Sequence, residues 1–95
     1  MNEMNTKIAT VNYNNEGEME SIECGSNQDG DFQILELSYD PLETTDQQLL
    51  KRNNMIREFI RANGITDVKD KQNEIFHGIS LEPAESYLET LDSYL

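Results

Sequence analysis

The chain has 95 residues, of which 19 are acidic and 7 are basic, so its formal net charge is −12. This excess of carboxylates argues against direct binding to nucleic acid or to an anionic membrane, because phosphate groups are contacted by Lys and Arg. The length suits one small domain, and we expect residues 1–95 to form it, with residues 1–5 frayed.

Three strands are predicted in the N-terminal part, at residues 6–13, 18–24 and 32–39. Asn and Gly residues between them favour turns, since both tolerate a positive φ angle. In the third strand Leu35 and Leu37 alternate with polar residues, which is typical of a strand with one buried face. The pattern predicts an antiparallel meander.

A central helix is predicted over residues 46–63. Thr44 or Thr45 is its N-cap, because a Gln follows three residues after each of them, which is a capping-box pattern. Gly64 predicts the end of this helix, since glycine readily adopts the left-handed conformation found there.

Residues 65–80 allow two interpretations, because the run at 74–81 fits either a fourth strand or a loop packed on the core. Beyond it, Pro83 suits the first position of a C-terminal helix over residues 83–94. The predicted fold class is therefore α+β, a three-stranded antiparallel sheet (with that fourth strand as an option) packed by two helices. The helices are expected to contact one face of the sheet through Leu49, Ile56, Phe59, Ile60, Leu88 and Leu91.

Charge is distributed unevenly along the chain. Residues 1–50 have a net charge of −10, residues 51–71 of +3 and residues 72–95 of −5. For the basic segment, the sequence favours intramolecular ion pairs with the acidic segments over a phosphate-binding site.

The C-terminal helix is predicted to present a row of four carboxylates, Glu82, Glu85, Glu89 and Asp92. Helical geometry separates neighbours in this row by about 4.5–6 Å along the axis, which is close to the spacing of phosphates along a nucleic-acid strand. Helix stability does not favour such a row, because like charges one turn apart repel and acids in the last turn oppose the helix dipole. The row is either a solvated helix face or a surface for a basic groove.

A second acidic set comes from the first hairpin and the turn that follows it: Glu16, Glu18, Glu20, Glu23, Asp29 and Asp31. Strand geometry places Glu18 and Glu20 on one face and Glu23 on the other, unless a bulge intervenes. One interpretation is an acidic hairpin that prevents edge-to-edge pairing of sheets. The other is a partner-binding surface, since almost no Lys is interspersed, whereas soluble surfaces usually mix both signs.

In size, charge and lack of catalytic motifs, the chain resembles the small acidic inhibitors carried by bacteriophages, which include DNA-mimic, anti-restriction and anti-CRISPR proteins. The residues that support the resemblance are the ten carboxylates of the two acidic sets. The resemblance implies an inhibitor, acting in the host cytoplasm, that occupies the DNA- or RNA-binding groove of a restriction enzyme or CRISPR effector.

The alternative function is a small acidic adaptor or assembly protein that docks through an apolar surface, with Tyr87, Tyr94 and Leu95 as contacts to a partner or to a second copy in a homodimer. We expect no enzyme, cofactor or metal site, because no catalytic or ligand-spacing motif occurs. Cys24 is the single cysteine, and neither an apolar run of about 18 residues nor a signal-peptide pattern is present. We therefore expect a cytoplasmic protein.

Overall fold

Across the described residues, which are 6–26, 28, 30–39 and 41–95, the computed structural model forms one mixed five-stranded sheet and three helices. The strands are β1 (Ile8–Tyr13), β2 (Met19–Cys24), β3 (Gln33–Glu36), β4 (Asp67–Lys69) and β5 (Glu82–Pro83). The helices are α1 (Thr45–Asn63), α2 (Lys71–His77) and α3 (Ala84–Asp92).

The strand order is β3-β2-β1-β4-β5, so the first strand lies at the centre of the sheet. The antiparallel meander β1-β2-β3 is confirmed, although β3 is shorter than the predicted 32–39. The prediction of a three-stranded antiparallel sheet is wrong, because β4 pairs in parallel with the free edge of β1 and β5 pairs with β4. Strands of three and two residues are too short to show a hydrophobic period, so the sequence pattern does not reveal them.

One face of the sheet forms the core together with the helices. Ala9 of β1 pairs with Cys24 and Val68, and all three side chains are buried. Residues opposite one another in a sheet share a face, so these pairs define the covered side. The predicted helix contacts Ile56, Ile60, Leu88 and Leu91 are buried in this core, and Phe59 is half-buried against it. Leu49 is also half-buried.

Local capping determines the limits of α1. The Thr44 hydroxyl accepts a hydrogen bond from the Gln47 amide at 3.2 Å, and the Gln47 side chain accepts one from the Thr44 amide at 3.0 Å. Gly64 ends the helix with a φ angle of 63°. The capping box and the glycine stop are both confirmed, and the helix begins one residue before the predicted range of 46–63.

The segment before the last helix differs from both sequence interpretations. Residues 71–77 are helical, because the Asp70 side chain caps α2 by accepting a hydrogen bond from the Gln72 amide and Gly78 ends it at a φ angle of 69°. Pro83 is the last residue of β5 and the N-cap of α3, not the first helical residue. α3 therefore spans residues 84–92 instead of 83–94.

Candidate functional site

The hairpin carboxylates are here defined as the side chains of Glu16, Glu18, Glu20, Glu23 and Asp31; the sixth predicted member of that set, Asp29, lies outside the described residues. They surround the β1–β2 hairpin and the turn before β3. All except the half-buried Glu23 are exposed to solvent. The N-terminal part of the fold thus presents carboxylates on an outer surface.

Three hairpin carboxylates accept hydrogen bonds from neutral donors. Glu18 is bonded by the Asn14 amide group at 3.2 Å and Glu23 by the Asn12 amide group at 2.9 Å. The Asp31 carboxylate accepts from the Ser26 backbone amide at 2.9 Å. Neutral donors orient these carboxylates without cancelling their charge.

A β-bulge sets the arrangement of the hairpin. Asn12 lies opposite Ser21 but Tyr13 lies opposite Met19, so Glu20 is the extra residue on β2. Glu23 lies beyond the bulge and shares the open face of the sheet with Asn12, whose amide group donates to both Ser21 and Glu23. The bulge is the irregularity that the sequence analysis left open.

The C-terminal row differs from its predicted form because Glu82 is buried. Its backbone belongs to β5, opposite Val68, and that register directs the side chain to the core face. The carboxylate accepts hydrogen bonds from Asn73 at 2.9 Å, from Ser86 at 2.9 Å and from Thr90 at 3.1 Å. Glu82 is therefore not part of an exposed helical row of four carboxylates.

Basic residues of α1 engage two further members of the C-terminal row. The Arg57 guanidinium donates to the Asp92 carboxylate at 2.5 Å, and Asn53 donates to the same carboxylate at 3.3 Å. Arg61 lies 3.8 Å from Glu85, with both side chains largely exposed. These contacts confirm the predicted intramolecular pairing for Arg57 and Arg61, and they leave Glu89 as the exposed member without such a contact among the described residues.

A third ion pair joins Lys51 to Glu43 at 2.7 Å, between α1 and the segment before it. Within the part of the chain that the structure describes, none of the ion pairs includes a hairpin carboxylate. The two acidic sets therefore differ. Most carboxylates of the C-terminal set bond to other parts of the fold, whereas the hairpin carboxylates have no cationic partner among the described residues.

A cavity of about 500 Å³, which sequence reasoning missed, lies between the β1–β2 turn and the three helices. Asp70 lies in its wall, almost fully buried, and its carboxylate accepts from the Tyr13 phenol at 2.5 Å and from the Tyr87 phenol at 2.8 Å. Burial raises the pKa of both phenols, and Asp70 raises each further by holding the proton. The sequence carries one signal near this cavity. Asp70 precedes a polar segment, and an Asp in that position is a typical helix N-cap.

Exposed apolar side chains form a second candidate surface, on α2 and the segment that follows it. Phe76 is 73% exposed and Ile75 is 65% exposed, and Ile79 and Leu81 are also open to solvent. Of the predicted apolar contact residues, Tyr94 and Leu95 are exposed. Tyr87 is fully buried, so the prediction that it contacts a partner is wrong.

Two further properties of the described residues concern metal binding and membrane insertion. No group of three or more His, Cys, Asp or Glu side chains is arranged to hold a metal ion. None of the helices there is long and apolar enough to cross a membrane. Comparisons of the chain with protein-family models, with curated proteins and with solved structures find no match.

Proposed function

We propose that this protein is a stoichiometric inhibitor that places its hairpin carboxylates in the basic groove of a nucleic-acid-binding enzyme, such as a restriction enzyme or CRISPR effector. The observation that supports the proposal is that these carboxylates, all exposed except the half-buried Glu23, lack cationic partners among the described residues. Clustered charge of one sign opposes compact folding. A basic partner would offset that repulsion in the complex.

Binding of this kind has a characteristic salt dependence. Carboxylates that replace phosphates attract Lys and Arg over a distance, which accelerates association at low ionic strength. Added salt screens that attraction, and nucleic acid competes for the same groove. A complex formed through the hairpin carboxylates should therefore dissociate in a salt gradient and in the presence of duplex DNA.

The test compares two charge-reversal variants of the whole chain. Glu16→Lys/Glu20→Lys changes the hairpin set, whereas Glu85→Lys/Glu89→Lys changes α3, and both raise the net charge from −12 to −8. All four side chains are exposed. The variants therefore differ in the position of the charge and not in its amount.

The assay is inhibition of DNA cleavage by a panel of purified restriction enzymes and CRISPR nucleases, followed by affinity measurement on the enzyme that is inhibited. We expect the hairpin variant to lose affinity by about tenfold or more, which is about 1.4 kcal/mol. The α3 variant should lose much less. Equal affinities for the wild type and the hairpin variant would contradict the proposal.

The alternative function, an acidic adaptor or assembly protein, is supported by the exposed apolar side chains of residues 75–81. Its partner would offer an apolar segment flanked by basic residues, which complements the net charge of −12. Binding would then persist at high salt and fail in Ile75→Ser/Ile79→Ser. Light scattering of the free protein tests the related case, in which this surface joins two copies in a homodimer.

A further inference from the structure

We infer that the cavity between the β1–β2 turn and the helices binds a small organic carboxylate with a planar apolar body. Its volume of about 500 Å³ lies within the range typical of ligand sites, about 300–1,000 Å³. The inference does not depend on the proposed inhibitory function, because it rests on Arg52 and the apolar walls and not on the hairpin carboxylates.

The walls of the cavity are aromatic and apolar. Tyr13 and Tyr39 line the sheet side, Leu49 and Leu91 come from α1 and α3, and Phe76 comes from α2. Rings bound among such side chains gain from apolar burial and from offset stacking. The walls therefore favour a flat, apolar ligand body.

Arg52 supplies the polar anchor of the site. It is half-buried in the cavity wall, and its Nε and Nη2 atoms donate to the Asn53 side chain at 3.1 and 3.0 Å. Asn53 is itself fully buried, so these two bonds fix the orientation of the guanidinium. The same guanidinium is also a hydrogen-bond partner of the Tyr39 phenol, and the N–H groups that remain can bind a carboxylate.

Among the described residues, Arg52 forms no ion pair. In the portion of the chain that the structure describes, the ion pairs formed by Arg and Lys involve Lys51, Arg57 and Arg61. This is unexpected in a chain with 19 acids and 7 bases, since a half-buried cation normally has an acidic partner. A ligand carboxylate would supply the missing opposite charge.

Two carboxylates, those of Asp70 and Glu18, also line the cavity. Asp70 is 4% exposed, and its carboxylate already accepts hydrogen bonds from two phenols and the Gln72 amide. Glu18 is exposed at the rim, where water screens its charge. Among the described residues, Arg52 is the one Lys or Arg side chain of the cavity lining, so a ligand carboxylate would be placed against its guanidinium.

The experiment is a titration of the whole protein, labelled with ¹⁵N, with benzoate, benzamide and inorganic phosphate. Benzoate should shift the amide signals of residues around the cavity, such as Gln72 and Phe76, and leave that of Ile34 on the open sheet face unchanged. Benzamide matches benzoate in shape without its charge, and phosphate has the charge without the ring. Both should bind at least about tenfold more weakly, since each lacks one of the two contacts.

Variants assign the binding to the cavity. Arg52→Gln should weaken benzoate binding by about tenfold or more, whereas Arg61→Gln, outside the cavity, should leave it unchanged. Phe76→Ala removes a wall whose side chain is 73% exposed, so it keeps the fold and should weaken benzoate binding even if Arg52→Gln unfolds. Benzamide binding as tightly as benzoate, phosphate binding as tightly as benzoate, or unchanged benzoate affinity in Phe76→Ala would overturn the inference.

Discussion

The carboxylates of the β1–β2 hairpin and those of the helical side differ in what surrounds them. Glu16 and Glu20 are exposed and have no cation beside them among the described residues. Asp70 and Glu82 are buried, and each accepts three hydrogen bonds from neutral groups. Carboxylates are therefore open to solvent on one side of the molecule and used inside the fold on the other. A count of acidic residues does not separate these roles, whereas their partners do.

Among substitutions of these carboxylates, the largest loss of stability is expected at Asp70. Asp70→Ala removes the acceptor of the Tyr13 and Tyr87 phenols and the N-cap of α2, so the free energy of unfolding should fall by about 3–5 kcal/mol. Urea denaturation followed by circular dichroism measures it. Asp70→Asn keeps one acceptor oxygen and should lose less. A loss below about 1 kcal/mol in Asp70→Ala would show that the hydrogen bonds of Asp70 do not stabilise the fold.

Glu82 offers a matched comparison with an exposed acid of α3. Glu82→Ala leaves the buried Asn73 amide group without its acceptor and should lower the free energy of unfolding by about 2–4 kcal/mol. Glu89→Ala should change it by less than about 0.5 kcal/mol, because that side chain is exposed. Equal losses in urea denaturation would remove the distinction between the two positions.

Alkaline pH is expected to lower the stability that the phenols of Tyr13 and Tyr87 provide beside Asp70. Burial raises the pKa of Tyr13 and Tyr87 above the value of about 10 that an unfolded chain shows. The folded state therefore holds more protons above that pH, so this stabilisation is complete below about pH 10 and is lost as pH rises further. The slope is at most about 1.4 kcal/mol per pH unit for each phenol. Urea midpoints between pH 8 and 11 measure it, and Tyr13→Phe should reduce the slope.

The smallest effect on stability is expected at the hairpin. Glu16→Lys/Glu20→Lys should change the free energy of unfolding by less than about 0.5 kcal/mol, because both side chains are exposed. The measurement is again urea denaturation, at low and at high salt. A loss above about 1 kcal/mol would mean that these acids stabilise the fold, which would weaken the case for a binding role.

The sequence predicted those parts of the fold whose signals are local. The capping box of Thr44 and Gln47 and the stop at Gly64 define α1 within one residue, because the hydrogen bonds involved are made by near neighbours. The β1–β2 hairpin follows in the same way from its turn residues. The exposure of Glu16 and Glu20 was also expected, although their partner-binding role stays a prediction.

The remaining parts depend on contacts between distant residues. β4 has three residues, and its pairing with β1 and with β5 is what makes it a strand. Glu82 was placed on a helix by its spacing from Glu85, but the antiparallel pairing of β5 with β4 turns it to the core. The cavity requires five separate segments to meet, so no pattern along the chain indicates it.

The parallel pairing of β1 with β4 has a consequence for synthesis of the chain. Lys7 bonds to Thr66, which is 59 positions away, so one edge of β1 stays open until the later segment leaves the ribosome. Open strand edges on neighbouring nascent chains can join, and such non-local pairing forms slowly. The acids of the first hairpin give these early segments a common negative charge. At close range, like charges of this kind oppose the joining of two such open edges.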